Sequence, residues 1–458
     1  MFWRLFQRDI DQTSPFLSRR DWWVILLALL VSLGIGLAAP RFIGLVIFWD
    51  NGLVPYPGRD LPQDYALGVL WAVVLGLSIL AWPVGSRDKL AVLVIWLIKS
   101  VIVLGLMLPY EYVYGVDPDG YYTNAVVNQF VWEGFDIANG TKNIQHLAWL
   151  QDQIVPGSFH ASKASFAYMG LVAIYLFYRA GLIVSGSTDR RILLYGLALY
   201  PSILFWSSVL GKDPVICFGI ALYTYGIVGW YRFHRFRYLL ALGLGVSVAI
   251  LVRVFLGPIL IIPLCVFALY DNRRLISRLT VAAVALVVLG YSLIVLSDAW
   301  NIASGNDVLG FINYLSGGFE SGGSSLQPKN FSSYSEVVTF LPLGIFTVLF
   351  RPLPGDVLNA FGLIAGLENV LLLVLLWRAV QRTSWSEMKE PIVIWALMLI
   401  GAWASLSSIG LYQNLGTLVR HKLEILPILL GLLLYLGRLR PALRVGVSAH
   451  TAVTPALA

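Results

Sequence analysis

The amino-acid sequence predicts an all-α polytopic membrane protein. Its mean hydropathy is +0.77, and only 12% of its 458 residues are charged. Apolar stretches of about 20 residues, the length that a helix needs to cross a bilayer, recur along the chain. We therefore predict a single transmembrane helical bundle over residues 1–437. Residues 438–458 lack this periodicity and are predicted to form a disordered cytoplasmic tail.

The hydropathy pattern divides the bundle into about twelve spans. Short polar stretches separate most of them, whereas one pair is separated only by "FLGP", whose Gly257 and Pro258 predict a helix break. The predicted spans are 23–49, 65–84, 90–109, 164–185, 192–210, 214–231, 238–254, 256–271, 279–296, 356–378, 391–411 and 423–437. A further apolar piece at 337–350 is short for a crossing, so a re-entrant or interfacial segment is expected there.

The basic residues give this layout an orientation. Most of the 32 Lys and Arg residues fall in alternate short connections and near the two ends of the chain, as the positive-inside rule requires of cytoplasmic segments. Both termini are therefore predicted to be cytoplasmic. The same scattered clustering argues against nucleic acid as a partner. The outer face receives two long loops, about 110–163 and 297–336, which we expect to contain interfacial helices and to carry function.

Several residues at the outer ends of spans oppose this charge bias. An unpaired charge is costly there, so contact with lipid headgroups or an anionic ligand must account for them. A phosphate fits their chemistry, since Arg binds phosphate oxygens through two parallel hydrogen bonds and Lys supplies a point charge. These candidate phosphate-binding residues are Lys212, Arg253, Arg351, Arg420, His421 and Lys422.

The first outer loop contains the stretch "GVDPDGYYTNA", in which two carboxylates lie among aromatic residues. Asp117 or Asp119 is a candidate general base for a hydroxyl nucleophile. Tyr121 and Tyr122 offer ring faces and hydroxyls suited to a sugar. The segment "DPDG" also has the composition of a simple turn. No cofactor is predicted, and a divalent metal is left open because two aspartates without a third ligand are weak evidence for one.

Three other charged residues are notable for their position. Lys99 and Glu368 fall near the middle of predicted spans, so we expect both to face the bundle interior and to form a structural pair, with a proton relay as the alternative. Glu320 lies in the Gly-rich second outer loop and is a candidate second carboxylate for binding the sugar or acceptor.

The order of these motifs resembles that of integral-membrane glycosyltransferases of the GT-C fold. A long outer loop opening with "DPDGYY", a span ending in "YPSILFWSSVLGKDP" and a late "RHKLEILPILLGLL" follow one another over about residues 90–437. The resemblance implies a polyprenyl-phosphate-linked sugar donor and a catalytic base at Asp117 or Asp119. It also implies donor-phosphate contacts from Lys212, Arg420 and Lys422. Two spans precede the one that is first in that family, and Pro118 splits its usual adjacent acidic pair.

The leading functional hypothesis is a glycosyltransferase of a bacterial cytoplasmic membrane that transfers a sugar to a glycan or lipid-linked acceptor. The "RHKLEILP" segment is also similar to Wzy-type O-antigen polymerases. Such a polymerase would use the same cations on a polyprenyl diphosphate, and an arginine or His421 would carry the chemistry. A twelve-span transporter or lipid flippase ranks third, because transporters commonly contain two related halves and the sequence shows no internal repeat.

Overall fold

The computed structural model describes residues 61–114, 117–128, 131–137, 139–186, 191–270, 308–317 and 329–439, with scattered positions at 22–34 and 279–294. Within these residues the predicted all-helical architecture is confirmed, and six helices are long and apolar enough to cross a membrane. They are Gln63–Ala81, Ser86–Leu106, Phe159–Ser185, Lys212–Phe233, Ala360–Arg382 and Pro391–Gly410. Four further apolar helices are shorter. Glu320, the predicted tail beyond residue 439, and most of the first and ninth predicted spans lie outside the described residues.

The helices are numbered in chain order over the described residues. They are α1 (Leu61–Ser78), α2 (Ser86–Val101), α3 (Met107–Tyr114), α4 (Asp117–Tyr122), α5 (Gly140–Asp152), α6 (Phe159–Ser185), α7 (Arg191–Ala198), α8 (Pro201–Trp206), α9 (Lys212–Phe233), α10 (Phe236–Val252), α11 (Leu256–Tyr270), α12 (Val308–Gly317), α13 (Tyr334–Phe350), α14 (Ala360–Arg382), α15 (Trp385–Met388), α16 (Pro391–Gly410), α17 (Leu415–Lys422) and α18 (Leu426–Leu436).

The core is built around α6 and α9, which are the most buried of the long helices. Helix α6 packs against α1 and α9, and α9 packs against α10 along its length. The last two backbones approach closely because glycines face each other: a Cβ added to Gly245 would lie 2.5 Å from the carbonyl oxygen of Gly219. Small residues at helix contacts allow such close packing where no water is available to drive association.

The predicted span at 192–210 is wrong as a single helix. Helix α7 ends at Ala198, Tyr200 is extended with ψ 117°, and Pro201 starts α8. Proline disfavours the helical conformation of the residue before it and is well accommodated at the first position of a new helix. The chain therefore breaks here and reaches α9 through a short non-helical turn at 207–211.

The break between the seventh and eighth predicted spans is confirmed, but its position is shifted. Helix α10 ends at Val252, Arg253 is extended, and α11 begins at Leu256, so Gly257 and Pro258 lie inside the first turn of α11. Proline is tolerated there because the first amides of a helix have no intrahelical acceptor. The shift matters because it places Arg253 in the break itself.

The predicted outer loop at 110–163 is largely helical. It contains most of α3, all of α4 and α5, and the start of α6. The side chain of Asn139 accepts from the amide of Lys142 and starts α5, and that of Ser158 accepts from the amide of Ala161 and starts α6. The apolar piece predicted at 337–350 forms α13, a helix of 17 residues.

Candidate functional site: a charged cluster at one end of α9

Segments far apart in the sequence meet at the N-terminal end of α9. Helix α4 contributes one carboxylate, the start of α9 contributes an adjacent cation and carboxylate, and the break between α10 and α11 contributes an arginine. The end of α17 and the turn after it supply the rest. We call this group the charged cluster; it consists of Asp117, Lys212, Asp213, Arg253, Arg420, His421 and Glu424.

Arg420 connects a buried carboxylate with an exposed one. Its Nε donates to Oδ2 of Asp213 at 2.5 Å, and its Nη1 donates to Oδ2 of Asp117 at 2.6 Å. The side chain of Asp213 is 2% exposed, whereas that of Asp117 is 51% exposed. The guanidinium also lies 5.8 Å from the ring centroid of Trp206. Arg420 is thus fixed on its inner side, and its Asp117 contact faces solvent.

Arg253 holds the inner part of the cluster together. Its Nη1 donates to Glu424 and, at 2.9 Å, to Nδ1 of His421, and its Nη2 lies 3.4 Å from Oδ1 of Asp213. The other carboxylate oxygen of Glu424 accepts a hydrogen bond of 2.6 Å from the indole N–H of Trp403. Both carboxylates that contact Arg253 are almost fully buried. A buried ion pair of this kind is sensitive to the loss of either partner.

His421 is neutral in this setting. Burial and the neighbouring cations Arg253, Arg420 and Lys212 hold the pKa of His421 well below its ordinary value. Because Arg253 donates to Nδ1, the proton of the neutral imidazole lies on Nε2. The cluster then contains three cations, Lys212 and the two arginines, against three carboxylates.

The three consecutive basic side chains at the end of α17 point in different directions. The side chain of Asn414 accepts from the amide of Thr417 and fixes the start of this helix. Successive residues of an α-helix are about 100° apart, so Arg420, His421 and Lys422 diverge. The ammonium of Lys422 donates to the backbone oxygen of Arg351 at 3.0 Å and to Oδ1 of Asn369 at 2.9 Å. Its charge is therefore directed away from the cluster.

Lys212 differs from the two arginines. In the part of the chain that the structure describes, its ammonium has no carboxylate oxygen within salt-bridge distance, although Asp117, Asp213 and both arginines of the cluster are close enough to act on it electrostatically. The residue starts α9 and is half-buried. It is thus a cation available to an anion that enters the cluster.

The "DPDG" stretch begins a short helix, α4, followed by a π-helical turn. Asp119 accepts a hydrogen bond of 3.2 Å from the hydroxyl of Thr123. Among the described residues it forms no salt bridge, unlike Asp117, and burial raises the pKa of its carboxyl. A carboxylate with a raised pKa is a better proton acceptor than an ion-paired one.

The two candidate sugar-binding tyrosines face different surroundings. Tyr121 lies against the start of α9: a Cβ added to Gly211 would be 3.5 Å from Cε2 of Tyr121 and 3.8 Å from Nη2 of Arg420. Tyr122 is 2% exposed, shares a hydrogen bond with Asp152 and packs edge-on against Phe159. Tyr121 alone of the pair adjoins the cluster.

Arg351 is also placed apart from the cluster. Its Nε and Nη2 donate to the two carboxylate oxygens of Asp356 at 2.8 and 2.7 Å. Such a two-point contact occupies the guanidinium edge that would otherwise bind phosphate. Of the six predicted phosphate-binding residues, the structure brings Lys212, Arg253, Arg420 and His421 together and directs the other two elsewhere.

The predicted pair of Lys99 and Glu368 is wrong, although both side chains face the interior as expected. The ammonium of Lys99 donates to the hydroxyls of Ser207 and Ser208, each at 2.7 Å. Glu368 accepts from the amide of Ser202 at 2.6 Å and from its hydroxyl. The three serines all lie between Pro201 and the start of α9, so both charges stabilise the segment that leads into the cluster.

No protein-family model, curated protein or solved structure matches this chain. Among the described residues, no group of three or more His, Cys, Asp and Glu side chains is placed to hold a metal ion. The chemistry of the charged cluster is therefore the main guide to function.

Sequence reasoning missed the carboxylates that hold the arginines. Asp213 and Glu424 stand inside the two motifs that were singled out for their cations, "GKDP" and "RHKLEILP". A buried arginine needs an acceptor, so the acidic residues of the same motifs were the available signal. Trp206 carried no such signal, because its contact with Arg420 depends on which helices pack together. Thr123 lies four residues after Asp119, so that spacing was a local signal that sequence reasoning did not use.

Proposed function

We propose that the protein is a membrane glycosyltransferase that moves a sugar from a polyprenyl-phosphate-linked donor to a glycan or lipid-linked acceptor. The observation that carries this proposal is the convergence of Lys212, Arg253 and Arg420 at the carboxylate of Asp117 on α4, the short helix that also holds Asp119. Transfer from such a donor needs two things at one place, cations for the phosphate leaving group and a base for the acceptor hydroxyl.

The phosphate is expected to bind at the start of α9. The first amides of this 22-residue helix have no intrahelical acceptor, and the helix dipole is positive there. Lys212 adds a charge with no direct carboxylate partner among the described residues, and Arg420 adds a guanidinium that reaches the solvent-facing side of the cluster. Together they suit the anionic phosphodiester of the donor, and the polyprenyl phosphate that it releases, better than any neutral ligand.

Asp119 is the proposed general base. It takes the proton of the acceptor hydroxyl, and the oxygen attacks the anomeric carbon of the donor sugar. The bond between that carbon and the phosphate oxygen breaks, and its electron pair stays with the polyprenyl phosphate, whose charge Lys212 and Arg420 stabilise. A single displacement of this kind inverts the anomeric configuration. Tyr121 lies where its ring can contact the sugar.

The cluster is proposed to face outward from a bacterial cytoplasmic membrane, in a layout of about twelve spans with both termini cytoplasmic. Helix α9 has 22 residues, which corresponds to about 33 Å. It separates the cluster from a second basic group at its far end, Arg232, Arg235 and Arg237. This distance matches the hydrocarbon thickness of a bilayer, and the far group has the charge of a cytoplasmic connection.

The test is transfer by the purified protein in liposomes. A panel of polyprenyl-phosphate donors with radiolabelled sugars is supplied with lipids and glycans extracted from the source membrane. We expect one donor to be consumed with release of polyprenyl phosphate, and the Asp119→Asn variant to lose about 10²-fold or more in rate. Asp356→Asn, which changes a carboxylate outside the cluster, should retain activity. No turnover of any donor by folded wild-type protein would refute the proposal.

A repeat-unit polymerase remains the second candidate because the two arginines and His421 form one connected group. It would bind a diphosphate-linked substrate and depend on the arginines instead of the α4 carboxylates. Full polymerising activity in both Asp117→Asn and Asp119→Asn, together with its loss in Arg420→Lys, would favour this candidate over the first.

A further inference from the structure

We propose that Asp117 and the donor phosphate compete for the same guanidinium edge of Arg420, so that donor binding displaces Asp117 and leaves Asp119 as the base. This inference rests on the proposed function, because it assumes that the cluster binds a phosphate. It separates two aspartates that the sequence leaves equivalent: Asp117 opposes donor binding, and Asp119 acts as the base.

The two carboxylates on Arg420 are held very differently. Asp213 is buried and is shared with Arg253, so it fixes the inner side of the guanidinium. Asp117 contacts only the outer Nη1 and is half exposed. A solvent-exposed ion pair contributes little to stability, whereas breaking a buried pair leaves an uncompensated charge. Replacing one of the two carboxylates on Arg420 with another anion therefore costs the least free energy at the Asp117 contact.

The charge of the cluster points to the same exchange. With His421 neutral, three cations balance three carboxylates. A phosphate added without any displacement would give the group an excess of negative charge in a partly buried place, which is unfavourable. When Asp117 moves into solvent, the remaining residues carry one net positive charge. The entering phosphate then takes the position of the departing carboxylate.

Asp119 can keep its position when the side chain of Asp117 leaves Arg420 and moves into solvent. Asp119 lies two residues further along α4 and takes no part in the contact between Asp117 and Arg420. Thr123 holds Asp119 through a hydrogen bond of 3.2 Å, and Asp119 has no salt bridge within the described residues. Displacement of Asp117 therefore requires only a change of its own exposed side chain.

The test is direct binding of farnesyl phosphate, a prenyl lipid with one phosphate, to the purified full-length protein in detergent, measured by titration calorimetry. We expect Asp117→Asn to bind it about two- to fivefold more tightly than wild type, as the loss of one competing exposed ion pair predicts. Asp356→Asn is the matched control, since it removes the carboxylate that pairs with Arg351 outside the cluster, and it should leave the affinity unchanged. Inorganic phosphate tests whether the headgroup alone suffices, and farnesol tests the lipid alone.

The outcomes are distinguishable. Unchanged or weaker binding of farnesyl phosphate by folded Asp117→Asn would overturn the inference. A gain in affinity for farnesol as well would also overturn it, because the effect would then lie in the lipid contact. Tighter binding of the phosphate in a protein that transfers no sugar would support the competition at Arg420 and count against the proposed transferase activity. If neither the wild type nor Asp117→Asn binds farnesyl phosphate, both the competition at Arg420 and the proposed transferase function are refuted.

Discussion

Lys99 and Glu368 bind the two ends of the same short segment, at Ser207 and Ser208 and at Ser202, and form no salt bridge with each other. Lys99, on α2, donates to Ser207 and Ser208 just after α8, and Glu368, on α14, accepts from Ser202 at its start. Buried charges are costly unless hydrogen bonds satisfy them. Here they are satisfied by the segment between α7 and α9, which interrupts the predicted span at 192–210 and leads into the charged cluster.

The hydroxyls of Ser207 and Ser208 should therefore be needed to keep Lys99 buried. We expect Ser207→Ala/Ser208→Ala to lower the free energy of unfolding by about 2–4 kcal/mol, because the ammonium loses two acceptors. Adding Lys99→Met should restore most of that loss, since no buried charge remains. Unfolding in detergent, followed by tryptophan fluorescence, measures both. Equal stability of the double and triple variants would contradict this account of Lys99.

The contact between Arg253 and Glu424 should behave as a buried ion pair. Arg253→Met is expected to cost about 3–5 kcal/mol of stability because it leaves Glu424 buried without its cation. The pair of Arg351 and Asp356 is a control, since both side chains are more exposed and its loss in Arg351→Met should cost about 1 kcal/mol or less. Adding Glu424→Gln to Arg253→Met should recover part of the larger loss. Thermal unfolding of the four proteins would show whether the two pairs differ.

Gly140 should be required for the position of Arg253. A Cβ at Gly140 would lie 1.9 Å from the backbone oxygen of Val252, so Gly140→Ala must push α5 away from the end of α10. We expect it to reduce both thermal stability and transfer activity. Gly431→Ala in α18 is the control, because a Cβ there meets nothing within 4 Å. Similar activities of the two variants would show that this contact does not position Arg253.

The pH dependence of transfer should report on Asp119. Burial raises the pKa of its carboxyl, and the hydrogen bond from Thr123 opposes that rise. Activity requires the deprotonated form, so it should fall as the pH drops through this pKa. Thr123→Val removes the opposing hydrogen bond and should move the acid limb of kcat/KM to higher pH, with little change on the alkaline side. An acid limb that stays in place would mean that another group sets it.

The proposed orientation can be measured by labelling cysteines in intact cells. Asn128 follows α4 on the side of the cluster, and Arg235 lies at the far end of α9; both are exposed. In a background lacking the native cysteines, a membrane-impermeant maleimide should label Asn128→Cys in intact cells and Arg235→Cys only after permeabilisation. The reverse pattern would place the cluster on the cytoplasmic side.

The sequence by itself determined the helical character of the described chain. A long apolar stretch must satisfy its own backbone hydrogen bonds in a bilayer, so hydropathy alone predicts helices of spanning length. It also identified the residue types that gather at the end of α9, because a cation at the end of a span is costly and stands out locally. The helix break before α11 was visible from another local signal, the adjacent Gly257 and Pro258.

Only the tertiary structure decided which of those charges meet. Arg420 and Asp117 are 303 positions apart, and their contact depends on how α4 and α17 pack against the start of α9. The consecutive Arg420, His421 and Lys422 look equivalent in the sequence, but the turn of the helix sends Lys422 to Asn369 and the other two into the cluster. The local hydropathy pattern predicts which stretches form helices and which face solvent. The partner of a buried charge, in contrast, is set by packing between distant segments.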